Sequence, residues 1–550
     1  MSHNIAQHHA PGSIWGTLDP FVESGPLLGR KVANRGFLQA LFSTNPFREY
    51  HFFLADQEAG KALHLWLTQA FPTLDESVRI FPRTALPQAM ATYPYHCFHL
   101  SDCLTHQGWL AAVRNKCAPQ CFPITGVTHS LSYARFGTAF AQHVWPGTTV
   151  RDCIVATSRA GKHTVQQELA ALQQVMPQAQ IPYVTRVPLG IWYHEFACLS
   201  DARFAPSDLP DLREELDPRA VVFLVPGRIS PYSKMDILPL LRAFQRLSRA
   251  GISLDAICLV LAGGTQESQD VLGTLRALAA NIGLQLKIFP SPTDTMHKAL
   301  LRRADAVISL ADNPQETFGL TVLEAQAAGK PVLVSDYDGY RDLVVDKKSG
   351  FLIPTLDGGN SALTSLMAPL LYDTTYHLWL AQDVAVDVGA VALALKELMD
   401  PCVRQRMGQA ACEHTRSFDW PRVLRCYEEL WAELWTRGVP ESRVWQHPLA
   451  IQYESVFADY PTTRLDVRDI LHCTELGWAV LRKQDFPVLY AGLEERIAVH
   501  LVPAILVWTR HGLSWAALQE RVEASDREYL GSTVLWMLKG DLLTWERGRP

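Results

Sequence analysis

Two short stretches hold the residue types whose spacing can do chemistry. The first is Glu316-Thr-Phe-Gly-Leu-Thr-Val-Leu-Glu324. Gly319 follows a short apolar run (AVISLA) and a loop, and it opens a helical pattern that ends near Gly329. The backbone N–H groups of about 318–321 then fall unpaired at the positive end of a helix, where a phosphate or diphosphate is held. Glu316 lies just before that helix and Glu324 about one turn inside it, so both carboxylates can face one pocket. A carboxylate beside an anion is repelled unless it has other work, such as accepting hydrogen bonds from sugar hydroxyls. The plainer alternative is an acid that favours the helix dipole plus a solvated helical glutamate. The second stretch is Val225-Pro-Gly-Arg228-Ile-Ser-Pro-Tyr-Ser-Lys234. Gly227 lets backbone approach a ligand, and Arg228 and Lys234 place two cations at the carboxyl end of a strand. Cations there stabilise a departing diphosphate, whose charge grows as its bond breaks. The alternative is a surface Arg and Lys in a polar loop.

The elements that must carry these residues alternate. From about 49 to 195, EYHFFLA, SVRIF, YHCFHL, FPITGVTH and CIVATS read as strands, with ALHLWLTQAF, LTHQGWLAAV and HTVQQELAALQQV as helices between them. The segment 197–218 is rich in Pro, Asp and Ser and reads as a linker. A second block repeats the rhythm with AVVFLVPG, AICLVLAGG, LQLKIFP, AVISLA and PVLVSD as strands. Strand–helix alternation implies parallel sheets covered on both faces. The fold class is therefore α/β, with two facing Rossmann-like domains and a cleft at the strands' carboxyl ends. Residues 391–437 read as helical. After Pro440 and Pro448 comes a mostly helical, aromatic third unit, in which LSWAALQERV and STVLWMLKGDLLTWERG resemble a winged-helix module.

In this order the motifs resemble retaining glycosyltransferase family 4. GR-x5-K, LVLAGG, ADAVISLADNPQETFGLTVLEAQAAGKPVLVSD and GYRDLVVDKKSGFLIP are similar to that family over about 217–436. A weaker likeness extends over 22–196 through the loop Gly25-Pro-Leu-Leu-Gly29-Arg30, PITGVTHS, CIVATS and VPLGIW. The resemblance implies the GT-B architecture. Residues 1–196 would be an acceptor-side domain, 197–216 a linker and 217–417 the nucleotide-sugar domain. Residues 418–440 would form a closing helix on the N-terminal domain, with 441–550 an extension. By resemblance, Arg228 and Lys234 hold the donor's diphosphate. Glu316 contacts the transferred sugar, with the amides of Phe318, Gly319 and Leu320 near it. Glu324 takes the nucleotide ribose, His129 reaches the sugar, and Gly25 and Gly29 shape a loop over the phosphates. The implied activity is metal-independent, cofactor-free hexosyl transfer from a nucleotide-diphosphate sugar to an acceptor hydroxyl with retained configuration. A β-phosphate oxygen takes the acceptor proton. The acceptor, whether a glycan, a lipid-linked saccharide, a protein or a metabolite, stays open. The alternatives are a nucleotide-sugar epimerase or hydrolase, which needs a further acid or base near the anomeric carbon, and a catalytically silent scaffold.

Composition bounds these readings. With 550 residues, 48% apolar and 19% charged, the chain is globular and too long for one core. Its net charge of −6 argues against a chain-wide nucleic-acid or polybasic membrane surface, leaving at most peripheral membrane contact. Eleven cysteines, an odd number, fit reduced thiols. With no signal-peptide pattern at the start, a cytoplasmic location is expected. His96, Cys97, His99, Cys103 and His106 invite a zinc site, but YHCFHL alternates like a strand. In the third unit acidic residues slightly outnumber basic ones, so packing or protein contact is favoured over nucleic-acid binding.

Overall fold

The structure, a computed structural model, describes residues 12–23, 29–200, 209–264, 271–359, 361–494 and 496–548. The chain divides into two compact units: one runs to 448 apart from 83–86, and the other comprises 83–86 and 449–550.

The larger unit holds two parallel sheets. The first contains β1 (Ile14–Thr17), β2 (Glu49–Leu54), β3 (Val78–Pro82), β4 (Tyr95–Leu100), β5 (Ile124–Val127), β6 (Asp152–Ala156) and β7 (Tyr183–Arg186) in the order β3-β2-β1-β4-β5-β6-β7. The second contains β8 (Val221–Pro226), β9 (Ile257–Ala262), β10 (Gln285–Phe289), β11 (Ala306–Ser309), β12 (Val332–Ser335) and β13 (Gly350–Ile353) in the order β10-β9-β8-β11-β12-β13. The strands ITGV, DCIVA, ICLVLA, AVIS and VLVS are buried at every residue. Helices cover both faces, so these strands need no polar side. Each sheet reverses direction of growth once, at β1/β4 and at β8/β11. The crevice outside such a reversal is where open α/β sheets take ligands.

A helix at Trp420–Thr436 returns to the first sheet. Its Trp420, Val423, Leu424, Tyr427, Leu430, Trp431 and Leu434 share one core with Trp15, Phe37, Tyr50 and Phe52. Trp431 Nε1 donates to Thr125 Oγ1 at 3.1 Å, and Trp435 Nε1 donates to the His96 carbonyl at 2.7 Å.

Three segments depart from the sequence reading. The described part of the linker is not solvated throughout, because Leu199, Leu212 and Leu216 are buried in the core under the second sheet. Residues 441–448 pack on the larger unit rather than with the extension: Asn115 Nδ2 donates to the Val444 carbonyl at 2.7 Å, and His447 Nε2 to the Gln142 carbonyl at 3.0 Å. Between β13 and the helix Val388–Leu398 lies an unforeseen insert with a two-stranded ribbon, β14 (Thr355–Asp357) and β15 (Val384–Val386).

The smaller unit has an antiparallel sheet of β16 (Ile470–Cys473), β17 (Leu513–Ser514) and β18 (Leu543–Glu546), with β16 in the middle. Helices Val502–Trp508, Trp515–Arg521 and Arg527–Lys539 cover it through Leu471, Ile505, Leu518, Val534 and Met537. The two winged-helix-like segments thus form strand, helix, helix and strand. Among the described residues, no helix is long and apolar enough to cross a membrane.

Candidate functional site

Both chemistry-bearing stretches leave the second sheet at its reversal, one after β8 and one after β11. Gly227 follows β8 with φ 112°, a left-handed conformation that favours glycine. Its N–H donates to the Ala262 carbonyl at 2.9 Å, and Ile229 N–H donates to the Gly264 carbonyl at 3.0 Å, which pins the loop to the end of β9. Arg228 is exposed, with Nη2 donating to the Ser233 carbonyl at 3.3 Å. Lys234 points inward and is 9% exposed.

Gly319, with φ 109°, opens the helix Leu320–Ala327, and a Cβ there would meet the Tyr340 ring at 2.4 Å. No other residue type fits. Val322 N–H is taken by the Gly319 carbonyl at 3.1 Å. The Phe318 amide donates to the Glu316 carboxylate rather than standing free with those of Gly319 and Leu320, and the Phe318 ring is buried.

Lys234 and Glu316 meet. Lys234 Nζ donates to Glu316 Oε2 at 2.5 Å, with side chains 11% and 16% exposed. The Tyr340 hydroxyl completes the group: it lies 3.4 Å from Lys234 Nζ, 3.3 Å from Glu316 Oε2 and 2.6 Å from Ser309 Oγ. Burial alone would push the Glu316 carboxyl up, but the Lys234 charge and hydrogen bond, the Phe318 N–H and the Tyr340 hydroxyl hold it below its ordinary value. Burial likewise lowers the Lys234 ammonium, and Glu316 with Tyr340 more than reverses this. The pair is therefore ionised at neutral pH. Glu324 does not join it. Its Oε2 lies 3.0 Å from His297 Nε2 instead.

The opposite wall comes from the first sheet. His129 follows β5, and its Nε2 donates to the Ser101 carbonyl at 2.7 Å. Burial pushes this imidazole down to about 4, only partly offset by that carbonyl, so it is neutral at pH 7 with Nδ1 as acceptor. Ser101 is itself held by Asp19 Oδ2, which accepts from its N–H at 2.7 Å and its hydroxyl at 3.0 Å. These residues follow β5, β4 and β1; β1 and β4 flank the first sheet's reversal, and β5 lies beside β4. Gly29 is the first residue of the helix Gly29–Thr44, with open space around its Cα, and Gly25 lies outside the described residues.

The two walls touch. Arg159 donates through its backbone N–H at 2.7 Å and through its side chain to Asp342, which Arg186 also approaches at 3.4 Å. Ser158 Oγ lies 3.5 Å from Asp338 Oδ1. Asp338 sits at φ 43°, and burial followed by the nearby Glu316 charge pushes its carboxyl up to about 7. Tyr340 and Ser309 lie inside the family-like stretches GYRD and AVISLA, whereas His297 and Asp338 lie outside them, and no spacing marks any of the four as a site residue.

The zinc candidates disperse. His96 Nδ1 turns to the Gly12 carbonyl, and His99 is enclosed by Phe21, Phe37, Tyr427 and Trp431, with Nδ1 2.8 Å from Thr125 Oγ1.

Two parallel sheets whose reversal-point loops face one another, one bearing paired charges beside a glycine-opened helix, define a two-Rossmann fold with a candidate ligand crevice at the strands' carboxyl ends. Residues 212–363 match the family Glycosyl transferases group 1. It is 34% identical over 245 residues to D-inositol 3-phosphate glycosyltransferase 2 of Catenulispora acidiphila, which covers 44% of this chain and 49% of the relative. It is 29% identical over 217 residues to D-inositol 3-phosphate glycosyltransferase of Saccharomonospora viridis, 39% of this chain and 43% of that one. The chain thus spans about half the length of the curated relatives it matches. A solved glycosyltransferase from Rickettsia africae aligns with 78% of this chain and 99% of its own, at 15% identity and a TM-score of 0.48.

Proposed function

We propose that the protein transfers a sugar from a nucleoside-diphosphate sugar to an acceptor hydroxyl with retention of configuration. The observation that carries this reading is the buried Lys234–Glu316 pair beside the Gly319-opened helix, inside the segment that matches the glycosyl transferase family. The Lys234 ammonium has three donors. One serves Glu316 and another faces Tyr340, which leaves the third for a diphosphate oxygen; Arg228 reaches the same anion from the loop rim. Glu316 accepts from hydroxyls of the transferred sugar, and Glu324 accepts from the ribose. The bond between the anomeric carbon and the β-phosphate oxygen breaks, and the acceptor oxygen bonds to that carbon from the same face. The acceptor proton passes to a phosphate oxygen, so the protein contributes position and charge stabilisation. The neutral His129 offers Nδ1 as a hydrogen-bond acceptor to a sugar hydroxyl.

A second reading, a nucleotide-sugar hydrolase or epimerase, draws on Asp338, whose carboxyl near Glu316 holds its proton to about pH 7 and is the acid such chemistry needs. One experiment separates the two. The full chain is screened by thermal shift against UDP-, GDP-, ADP- and TDP-sugars, since a ligand of the folded state raises the melting point. The stabilising donor is then incubated with and without candidate acceptors. Transfer predicts a product only with an acceptor. Stoichiometric free sugar or an inverted epimer without one supports the second reading, and no stabilisation by any donor sinks both.

A further inference from the structure

His297 stands outside the motifs and touches the proposed donor site. The loop after β10 meets the end of β9, where Gly263 N–H donates to the Phe289 carbonyl at 3.0 Å. The chain then enters the helix Asp294–Arg303, capped by Thr293 Oγ1, which accepts from Met296 N–H at 3.2 Å. His297 N–H donates to the Thr293 carbonyl at 2.8 Å, so this residue is fixed in the first turn. Its imidazole crosses to the helix Leu320–Ala327, where Nε2 lies 3.0 Å from Glu324 Oε2. A carboxylate only accepts, so the imidazole donates. The two side chains are 19% and 13% exposed.

We propose that His297 is a positioning residue: it holds the Glu324 carboxylate where its remaining oxygen accepts from the ribose diol of the bound nucleotide, and so sets selectivity for ribonucleotides. The inference rests on the ribose role given to Glu324 above. An unrestrained glutamate loses side-chain entropy when a ligand fixes it. A hydrogen bond from a ring on a second helix removes much of that cost before the nucleotide arrives. The electrostatics agree. Burial pushes the imidazole down, but the Glu324 hydrogen bond and charge, with Asp294, leave it above its ordinary value, so the bond is charge-assisted. The neighbouring Lys298 is turned to Asp294 at 3.0 Å and Glu195 at 3.5 Å, and its charge is already met.

The test uses the full chain and isothermal titration with UDP, GDP and ADP, followed by the 2′,3′-dideoxy counterpart of the tightest. The unaltered protein should prefer the ribo form at least about tenfold. His297→Ala should shrink that preference to about two- or threefold by weakening the ribo form alone, and His297→Gln, which keeps an N–H donor, should restore most of it. In the Glu324→Ala background the preference should vanish, and adding His297→Ala should change nothing. If His297→Ala or His297→Gln weakens both ligands equally, or leaves the preference intact in the alanine variant, the positioning role is overturned while the ribose role of Glu324 stands. An unaltered protein that binds both forms alike overturns the ribose role itself. Binding of none of the three diphosphates overturns the donor reading.

Discussion

Lys234 and Glu316 are joined so closely that neither can be removed alone without leaving a charge stranded away from water. Breaking a buried pair by deleting one partner costs about 3–5 kcal/mol, whereas replacing both with neutral groups of similar shape is far less damaging. Lys234→Ala is therefore expected to lower unfolding free energy in urea by about that amount, with Glu316→Ala close behind. Lys234→Met combined with Glu316→Gln should recover most of the stability and none of the transfer activity. Recovery of activity in the double variant would show that the pair is architectural. The pair's own pH dependence follows from its shifts. The Glu316 carboxyl is lowered, so its contribution is present above about 4.3 and is lost as pH falls through the folded value. The Lys234 ammonium is raised, so its contribution is full below about 10.4 and is lost as pH rises through the folded value. Between those limits the pair is indifferent to pH.

At the scale of elements, the helix Trp420–Thr436 joins the segment after the second sheet to the core of the first. Trp431 is fully buried there and also donates to Thr125 on β5, four residues before His129. Trp431→Ala should cost about 3–5 kcal/mol through the cavity it leaves. Trp431→Phe should lose much less, part of it the hydrogen bond at about 1 kcal/mol; equal losses in urea denaturation would mean the indole N–H matters more than its packing. Such an element is legible in sequence because its apolar residues fall on one stripe. Strands β2, β4–β6, β8, β9, β11 and β12 are legible because strands buried on both faces read as apolar runs, whereas the edge strands β3 and β10 are partly exposed and legible from their β-branched and aromatic residues. The strands IWGT, YVTR and GFLI do not register as apolar runs. The insert before Val388 does not either, since Leu363, Leu366, Leu370 and Tyr372 are apolar yet exposed. The same limit governs the site. Glu316, Gly319 and Glu324 are legible because local spacing places them on one loop and helix. Their partners are not, because Lys234 lies 82 residues from Glu316 and His297 lies 27 from Glu324, and sheet order alone brings them together.

Across the whole molecule, buried histidines set the response to acid. Burial holds His99 down to about 3 and His129 and His143 down to about 4, the latter two partly offset by the Ser101 and Cys103 carbonyls. His51, His96, His377, His414 and His447 are lowered by burial as well. Below about pH 6.5 the unfolded chain binds protons at these rings and the folded chain does not, so stability falls as pH falls toward 4. Asp312 and Asp338 act in the opposite sense. Burial raises each to about 7, so the folded chain holds protons that the unfolded chain releases, and stability gains as pH falls from 7 to about 4. His297, where Glu324 outweighs burial and raises the ring, and Glu428, raised by burial, add to the opposing side, but the eight lowered imidazoles outnumber these four groups, and the net expectation is a loss. The urea midpoint should be clearly lower at pH 5 than at pH 7. Asp338→Asn, which removes one opposing group, should steepen that loss. A midpoint unchanged between the two pH values would mean that the buried rings reach water before the chain unfolds, and with it the neutral state assigned to His129 in the donor cleft would fail.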